Sequence, residues 1–290
     1  MSLGILTNVA ATYAENNLNQ TQGSLQTTLQ QLSSGSRINS GADDAAGLSV
    51  SDGLKANEAA LNQSAQNAQN GVGLLQTADG ALSQVTNLLN RAVTLATEAS
   101  NGGLTTAQST AADTEFQSIV TEIGNIGSNT NFNSTNVFSA TATNFVISDG
   151  TTSGTTTIAA TTGALSSGSV GVTATDTAGV ITTAAGVDLS TLNLSSAASA
   201  ITALGKITTA IGDVSSQRGN IGANINQLNA AANVASSQSV NLSSAQSSIA
   251  STNYGQATSD LAKFQVLSQT GISALAQANS VQQEILKLLQ

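Results

Sequence analysis

Hydrophobic residues recur every seven positions in two widely separated regions of the chain. A sustained seven-residue repeat places the apolar stripe of one helix against a partner helix, so each region predicts a long, laterally packed helix. Rods of this kind more often serve structure than catalysis. The predicted rod seam comprises Leu61, Ala68, Leu75, Leu82, Leu89 and Ala96 in the first region and Ile221, Leu228, Ala235, Leu242 and Ile249 in the second.

Shorter apolar stripes predict further helices on either side of the two seams. Asn101-Gly102-Gly103 is suited to end the first long helix, and helical spacing predicts another helix at about 108–126. Both ends of the chain carry stripes of the same kind. Their residues are Leu18, Leu25, Leu29 and Leu32 near the start, and Leu261, Phe264, Leu267, Leu275, Leu286 and Leu289 near the finish.

The middle of the chain, residues 139–187, has a different character because it is rich in Thr, Ser, Gly and Ala. Residues 145–148 and 155–158 flank Asp149-Gly150, which predicts a β-hairpin with an Asp-Gly turn. Val170, Val172 and Ala174 alternate as in a further strand. Disorder in part of this region is the alternative to β structure.

Two seams so far apart in sequence can pair only if the chain folds back at its middle. We therefore predict a mainly α fold: a long antiparallel helical coiled-coil rod with the N- and C-termini together, plus a small β-rich central segment. The predicted domains are terminal coiled-coil segments at 1–40 and 251–290, a helical rod at 41–138 and 188–250, and a short β-rich surface region at 139–187.

Composition removes several classes of function. Without His or Cys the chain has no zinc finger, thiolate metal site, disulfide or Ser–His or Cys nucleophile, so we predict no catalytic, metal or cofactor site. A net charge of −9 disfavours nucleic acid as a partner. No uninterrupted apolar stretch is long enough to span a bilayer, and the first residues lack the basic segment of a cleavable signal peptide. Composition alone leaves the cytoplasm as the default location.

Charge is distributed unevenly along the chain. Residues 1–40 contain only Glu15 and Arg37, and residues 251–290 contain two acidic and two basic residues, so the whole net charge lies between them. Neutral, amphipathic ends on an acidic body indicate ends that are buried against other chains.

Two short motifs have a chemical and a structural interpretation. Asp43-Asp44 offers a carboxylate pair for a metal, but acidic residues before an apolar repeat more often cap a helix. Gly71-x-Gly73 lacks the third glycine of a phosphate-binding loop and lies within the first seam, which disfavours a nucleotide site.

Motifs at both ends resemble those of bacterial flagellins. Residues 32–40 (LSSGSRINS) and 43–48 (DDAAGL) resemble the N-terminal signature of that family, and residues 274–279 (ALAQAN) and 285–289 (ILKLL) resemble its C-terminal signature. The resemblance covers roughly 1–138 and 190–290, in the family's order.

This resemblance implies a structural, non-enzymatic subunit that self-assembles head to tail into the flagellar filament used for swimming. It implies type III export without a cleaved signal, an extracellular location, and terminal stripes that form the filament core. Implied partners are further copies of the chain, an export chaperone, the filament cap and hook-associated proteins, without membrane insertion. A hook–filament junction protein is the alternative, since it shares the terminal helices. An acidic coiled-coil enzyme or adhesin would need a constellation of residues that the sequence lacks.

The resemblance also points to a candidate host-receptor surface. Arg91, Leu95 and Glu115 align with positions that the animal Toll-like receptor for flagellin recognises in some flagellins. The neighbouring residues depart from the usual pattern, and the two charged residues equally suit solvated positions on helices.

Overall fold

The structure is a computed structural model that describes residues 8–151, 154–171, 174–177, 180–183 and 186–288. Helices dominate the described residues and the strands form small antiparallel pairs, which confirms the predicted mainly α fold class. The helices are α1 (Val9–Ser34), α2 (Ala45–Ser100), α3 (Thr106–Asn129), α4 (Ala197–Ala250) and α5 (Tyr254–Leu288). The strands are β1 (Asn131–Phe132), β2 (Thr135–Asn136), β3 (Thr143–Ile147), β4 (Thr156–Ala160), β5 (Ala174–Thr177) and β6 (Val180–Thr183).

The chain divides into two compact units. The terminal unit combines residues 1–56 with 241–290, and the central unit is residues 57–240. The terminal unit is thus built from both ends of the chain, whereas the central unit is one continuous stretch, and α2 and α4 each contribute to both.

In the terminal unit, α1 and α5 pack against each other in antiparallel orientation. At one end the Asn8 side-chain amide donates to the carbonyl oxygen of Ala278 at 2.9 Å. Midway, Leu18 faces Gly271, where an added Cβ would lie 3.3 Å from the leucine Cδ1. At the other end the Tyr254 hydroxyl lies beside Gly35, 3.1 Å from the position of an added Cβ.

In the central unit, α2 and α4 also run antiparallel. The Ser239 hydroxyl donates to Asn62 Oδ1 at 2.9 Å, and further along, the Arg218 guanidinium contacts the Asp79 carboxylate at 2.7 Å. Helix α3 belongs to the same core, to which Phe116 and Ile123 contribute fully buried side chains.

Local capping explains where the helices begin and end. Helix α2 ends at Ser100, immediately before the predicted stop at Asn101-Gly102. Helix α3 begins earlier than its apolar spacing indicates, because Thr105 and Gln108 form a reciprocal capping box. Asp44 caps α2 by accepting from the Gly47 amide at 2.8 Å, which supports the structural interpretation of that motif.

The middle region contains the predicted hairpin. β3 pairs with β4 with Phe145 opposite Ile158, and the segment between the strands contains Asp149-Gly150, as predicted. The Asp149 carboxylate accepts from the Thr151 amide at 2.8 Å and its hydroxyl at 2.7 Å, which stabilises this connection.

The other strands depart further from the sequence prediction. Val170 forms an isolated bridge with Val187, Ala174 begins β5, and Val172 lies outside the described residues. The β1–β2 hairpin was not predicted, because its strands have two residues each and its turn depends on positive φ at Asn133 and Ser134.

Glycines inside the helices meet two opposite environments. At Gly127 of α3 an added Cβ would overlap the Leu165 carbonyl, so only a glycine allows this approach. Helix α4, in contrast, contains glycines at which an added Cβ would meet nothing within 4 Å, namely Gly205, Gly212, Gly219 and Gly222.

Candidate functional site

The candidate site is the surface of the α1–α5 pair, where the sequence predicts apolar stripes. On both helices the less exposed positions recur every three or four residues and define the face between them. Of the predicted residues, those on this face are half-buried, namely Leu18, Leu25, Leu32, Leu261, Phe264 and Leu275.

The same helices carry apolar side chains on their outer faces. Leu29 is 47% exposed and Leu267 is 43% exposed, so these two predicted residues point away from the helix pair. The side chain of Leu286 and the whole of Leu289 lie outside the described part of the chain. The outer apolar residues are Val9, Tyr13 and Leu29 of α1 and Tyr254, Val266, Leu267, Ile272 and Val281 of α5.

Sequence reasoning did not single out Val266, Ile272 and Val281. A signal for part of this outer stripe was present, because Leu267, Ala274 and Val281 are seven residues apart. All three are exposed. The leucines of the inner face follow the same helical spacing, so spacing alone does not separate the two faces.

Uncharged polar residues surround the outer apolar side chains. On α1 the exposed positions include Asn16, Asn19 and Gln22, and on α5 they include Gln269 and Gln277. Amide side chains both donate and accept hydrogen bonds, so two such surfaces can satisfy each other when they meet. The surface therefore combines apolar area with hydrogen-bonding groups and carries little charge.

The connections between helices form a second feature of the terminal unit. The link from α1 to α2 and the link from α4 to α5 pair through an antiparallel bridge between Ser36 and Ser251. The Arg37 amide donates to the Ala250 carbonyl at 2.7 Å, and its guanidinium donates to the Ile249 carbonyl at 2.8 Å. Arg37 thus caps the C-terminal end of α4, where helix carbonyls lack partners and a positive charge is favourable.

The residues of the LSSGSRINS motif have local roles in this connection. Gly35 ends α1 with a left-handed backbone (φ 71°), and its amide donates to the Gln31 carbonyl. The Asp43 carboxylate accepts from the Asn39 and Ser40 amides, which holds the pKa of that carboxyl below its usual value. The motif therefore reverses the chain direction and starts α2.

The predicted rod seam is largely buried. In the central unit Leu61, Ala68 and Leu75 are at most 3% exposed. Leu82, Leu89, Ala96, Ile221, Leu228 and Ala235 are equally buried. Leu242 and Ile249, which belong to the terminal unit, are half-buried.

The candidate receptor residues divide into two kinds. Arg91 and Glu115 are exposed and form a two-point ion pair, with nitrogen–oxygen distances of 2.7 and 3.0 Å. The Glu115 carboxylate in turn raises the pKa of Arg91. Leu95 is only 2% exposed, because it packs into the core of the central unit. Its assignment to a surface was wrong.

The described residues show no cluster of metal-binding side chains and no helix apolar enough to cross a membrane. What they present is a helical pair whose outer surface is partly apolar and carries few charges. An outer surface of this kind is typical of structural proteins that assemble by side-chain packing between chains.

Comparison with known proteins identifies the family. The model of the bacterial flagellin N-terminal helical region matches residues 5–143, and the model of the C-terminal helical region matches residues 204–289. The chain belongs to the bacterial flagellin family, as its terminal motifs indicated.

Individual relatives agree. Flagellin FlaB2 of Treponema pallidum is 32% identical over 286 residues, covering 97% of this chain and 98% of the relative. Flagellin 1 of Proteus mirabilis is 37% identical over 151 residues, covering 52% of this chain. In that alignment the chain spans only 41% of the relative's length. A crystal structure of Bacillus cereus flagellin aligns with a TM-score of 0.45 and 28% identity, over 62% of this chain and 94% of that chain.

Proposed function

We propose that this chain is a structural subunit of the bacterial flagellar filament, which assembles head to tail by burying the outer faces of α1 and α5 against further copies. The observation that carries the proposal is the uncovered stripe of Val266, Leu267, Ile272 and Val281 on α5. Family membership supports it, and identical subunits joined by contacts that do not close into a ring form an open filament. Both matching family models are those of flagellins, which does not favour a hook–filament junction protein.

The physical driving force is burial of the exposed aliphatic and aromatic groups. Each such side chain contributes about 1.5–3 kcal/mol when fully removed from water, before the entropy of ordering is subtracted. The neutral charge balance of the terminal segments helps, because any net charge would be repeated in every subunit of a polymer.

The domain assignment follows the same logic. Residues 1–40 and 251–290 form the filament core, residues 41–138 and 188–250 form the surrounding helical domain, and residues 139–187 form the outward surface. The low charge of the terminal segments and the deep burial of the central seam support this division.

A pair of substitutions tests the proposal. Leu267→Gln on α5 and Val146→Gln on β3 each replace an aliphatic residue of nearly equal exposure, 43% and 44%. We expect Leu267→Gln to slow seeded growth of filaments and Val146→Gln to leave it unchanged, since only the first position lies on the proposed interface. Electron microscopy and sedimentation after adding filament fragments measure the growth.

Circular dichroism of the two unpolymerised variants is the control for folding. Equal growth of both variants, with both folded, would show that the outer face of α5 is not used in assembly.

The remaining partners follow from the proposed role. The chain leaves the cell through the flagellar type III channel with the help of an export chaperone, keeps its N-terminus uncleaved, and is placed beneath the filament cap on hook-associated proteins. The absence of Cys supports this route, because no disulfide has to be broken or formed. Accumulation of the chain in the cytoplasm of an export-deficient strain would be the expected result.

The exposed Arg91–Glu115 pair forms part of a surface recognised by the animal Toll-like receptor for flagellin. Arg91→Ala is expected to weaken the response of receptor-expressing reporter cells to unpolymerised subunit. Lys206→Ala, which removes another exposed cation in the central unit, is the control. Equal responses to both variants would exclude Arg91 from recognition.

A further inference from the structure

The turn between α2 and α3 exposes an Asn-Gly pair. Asn101 and Gly102 are both exposed, and they lie outside regular helix. The Asn101 amide donates to the Glu98 carbonyl at 3.1 Å, whereas among the described residues the Asn101 side chain and the Gly102 amide have no hydrogen-bond partner. An added Cβ on Gly102 would meet nothing within 4 Å, so there is open space beside this residue.

We propose that Asn101 is a site of spontaneous deamidation in the folded protein. The Gly102 backbone nitrogen loses its proton and attacks the side-chain carbonyl carbon of Asn101. Ammonia leaves, and a five-membered succinimide ring forms between the two residues. Water then opens either carbonyl of the ring and gives an aspartate or an isoaspartate at position 101. No oxidant, reductant or enzyme takes part, and water is the co-reactant.

A second Asn-Gly pair provides an internal comparison. Asn70-Gly71 lies inside α2, where Gly71 is buried and an added Cβ would be 3.0 Å from the side chain of Leu228. Its amide is part of the helical hydrogen-bond ladder, so ring closure there requires local unwinding first.

The Asp149-Gly150 pair, in which Asp149 is half-buried and Gly150 is exposed, offers a second comparison. The Gly150 amide donates to the Ser148 hydroxyl at 3.1 Å. The Asp149 carboxylate is held by Thr151. These bonds keep both reacting groups occupied, whereas the corresponding groups at Asn101-Gly102 are free among the described residues.

Deamidation at this position changes the end of α2. The product places a negative charge next to the C-terminal carbonyls of the helix, where the helix dipole is also negative. The isoaspartate form further inserts a methylene into the main chain, beneath the turn bond from the Leu104 amide to the Asn101 carbonyl. Leu104 packs on the core of the central unit, so the turn and its anchoring residue are both displaced.

The test uses the full chain, incubated folded in mildly alkaline buffer and digested with trypsin under denaturing, slightly acidic conditions. Cleavage after Lys55, Arg91 and Lys206 places Asn70 and Asn101 in different peptides, and tandem mass spectrometry locates each deamidation. We expect Asn101 to react about 100-fold faster than Asn70, the factor that a local opening free energy of about 2.8 kcal/mol produces at 1.4 kcal/mol per decade.

Two controls separate the effect of structure from that of sequence. In denaturant both pairs are expected to react at comparable rates, because neither is then held in a helix. Gly102→Ala, which the open surroundings accommodate, is expected to suppress reaction at Asn101 without changing the circular dichroism spectrum. Equal rates at Asn70 and Asn101 in the folded chain, or unaltered reaction in Gly102→Ala, would overturn the proposal.

Discussion

At Gly127, helix α3 passes so close to the Leu165 carbonyl that a single methyl group cannot be added without moving one backbone past another. Backbone atoms cannot change rotamer to make room, so the whole loop around Leu165 would have to shift. The sequence does not reveal this requirement, because a glycine inside a helix signals only a loss of helix propensity. Gly80 of α2 looks the same in sequence, and yet an added Cβ there meets nothing.

The two glycines predict substitutions with opposite signs. Gly127→Ala is expected to lower the free energy of unfolding by about 1–3 kcal/mol, as overpacking of a close contact does. Gly80→Ala is expected to raise it by about 0.5–1 kcal/mol, because alanine is the better helix former. Chemical denaturation of both variants measures the change in the free energy of unfolding. Stabilisation by Gly127→Ala would show that the segment around Leu165 moves aside at little cost.

The Arg91–Glu115 pair predicts a pH dependence. Hydrogen bonds from Arg91 hold the pKa of Glu115 below its ordinary value of 4.5. A carboxyl whose pKa is lowered by folding contributes stability above its unfolded pKa and loses that contribution as the pH falls through the folded pKa. Stability is therefore expected to decline less in Glu115→Gln than in the unmodified chain as the pH falls below 4.5.

Thermal unfolding as a function of pH measures this difference. Glu122→Gln is the matched control, because it removes a carboxylate of the same helix that accepts from Asn125 instead of an arginine. Parallel pH profiles of Glu115→Gln and the unmodified chain would contradict the coupling.

Among the secondary-structure elements, the long helices could be predicted because a sustained seven-residue apolar repeat is compatible with few structures other than packed helices. The end of α2 was predictable from Asn101-Gly102, since those residue types favour the end of a helix. The capping box at Thr105 follows the known pattern of Thr with Gln three residues later, but apolar spacing alone starts the helix too late. The predicted surface position of Leu95 was wrong. Alignment with a family can place a residue on a helix, but its burial depends on which neighbouring elements pack against that side of the helix.

The capping box predicts a specific loss of stability. Thr105→Ala removes the hydroxyl that accepts from the Gln108 amide and is expected to cost about 1 kcal/mol. Thr110→Ala, also on the exposed surface of α3, removes only a hydroxyl that donates to the Thr106 carbonyl within the helix. Urea denaturation of both variants is the measurement, and equal midpoints would show that the box contributes nothing.

The helices of the two units are expected to differ in protection. The seam of α2 in the central unit is completely buried, whereas α1 contributes only Thr28 as a buried residue. Amide hydrogen exchange in the unpolymerised chain should therefore be fast along α1 and α5 and slow along residues 61–96 of α2. Helices with few buried apolar contacts open locally at a lower free-energy cost. On assembly, α1 and α5 are expected to gain protection, and fast exchange that persists in the polymer would argue against their proposed burial.

At the scale of the whole molecule, the distribution of charge is the feature that sequence predicts best, because it needs no knowledge of contacts. The terminal segments balance their charges, and the net charge of −9 belongs to the residues between them. The outer apolar stripe could not be fully derived in this way, since helical spacing shows that a side is apolar without showing what covers it.

This charge balance predicts a salt-dependent variant. Gln269→Glu places a negative charge on the outer face of α5 in every subunit and is expected to impair seeded assembly at low ionic strength. Assembly should recover at high salt, because the screening length falls from about 30 Å at 0.01 M to about 3 Å at 1 M. Asn144→Asp, which adds a negative charge at an exposed position of β3, is the control and is expected to have little effect on assembly. If high salt does not restore assembly of Gln269→Glu, its impairment has a steric cause.

The four glycines of α4 at which an added Cβ meets nothing affect how readily this helix unwinds. Each glycine lowers the intrinsic stability of the helix by about 0.5–1 kcal/mol relative to alanine. The surroundings nevertheless leave room for a methyl group at every one of these positions. The stability of α4 therefore depends more on packing against its neighbours than on the intrinsic helix propensity of its residues. For the proposed export of the unfolded chain, this low helix propensity reduces the free energy needed to unwind α4, and replacing the four glycines with alanine is expected to increase it.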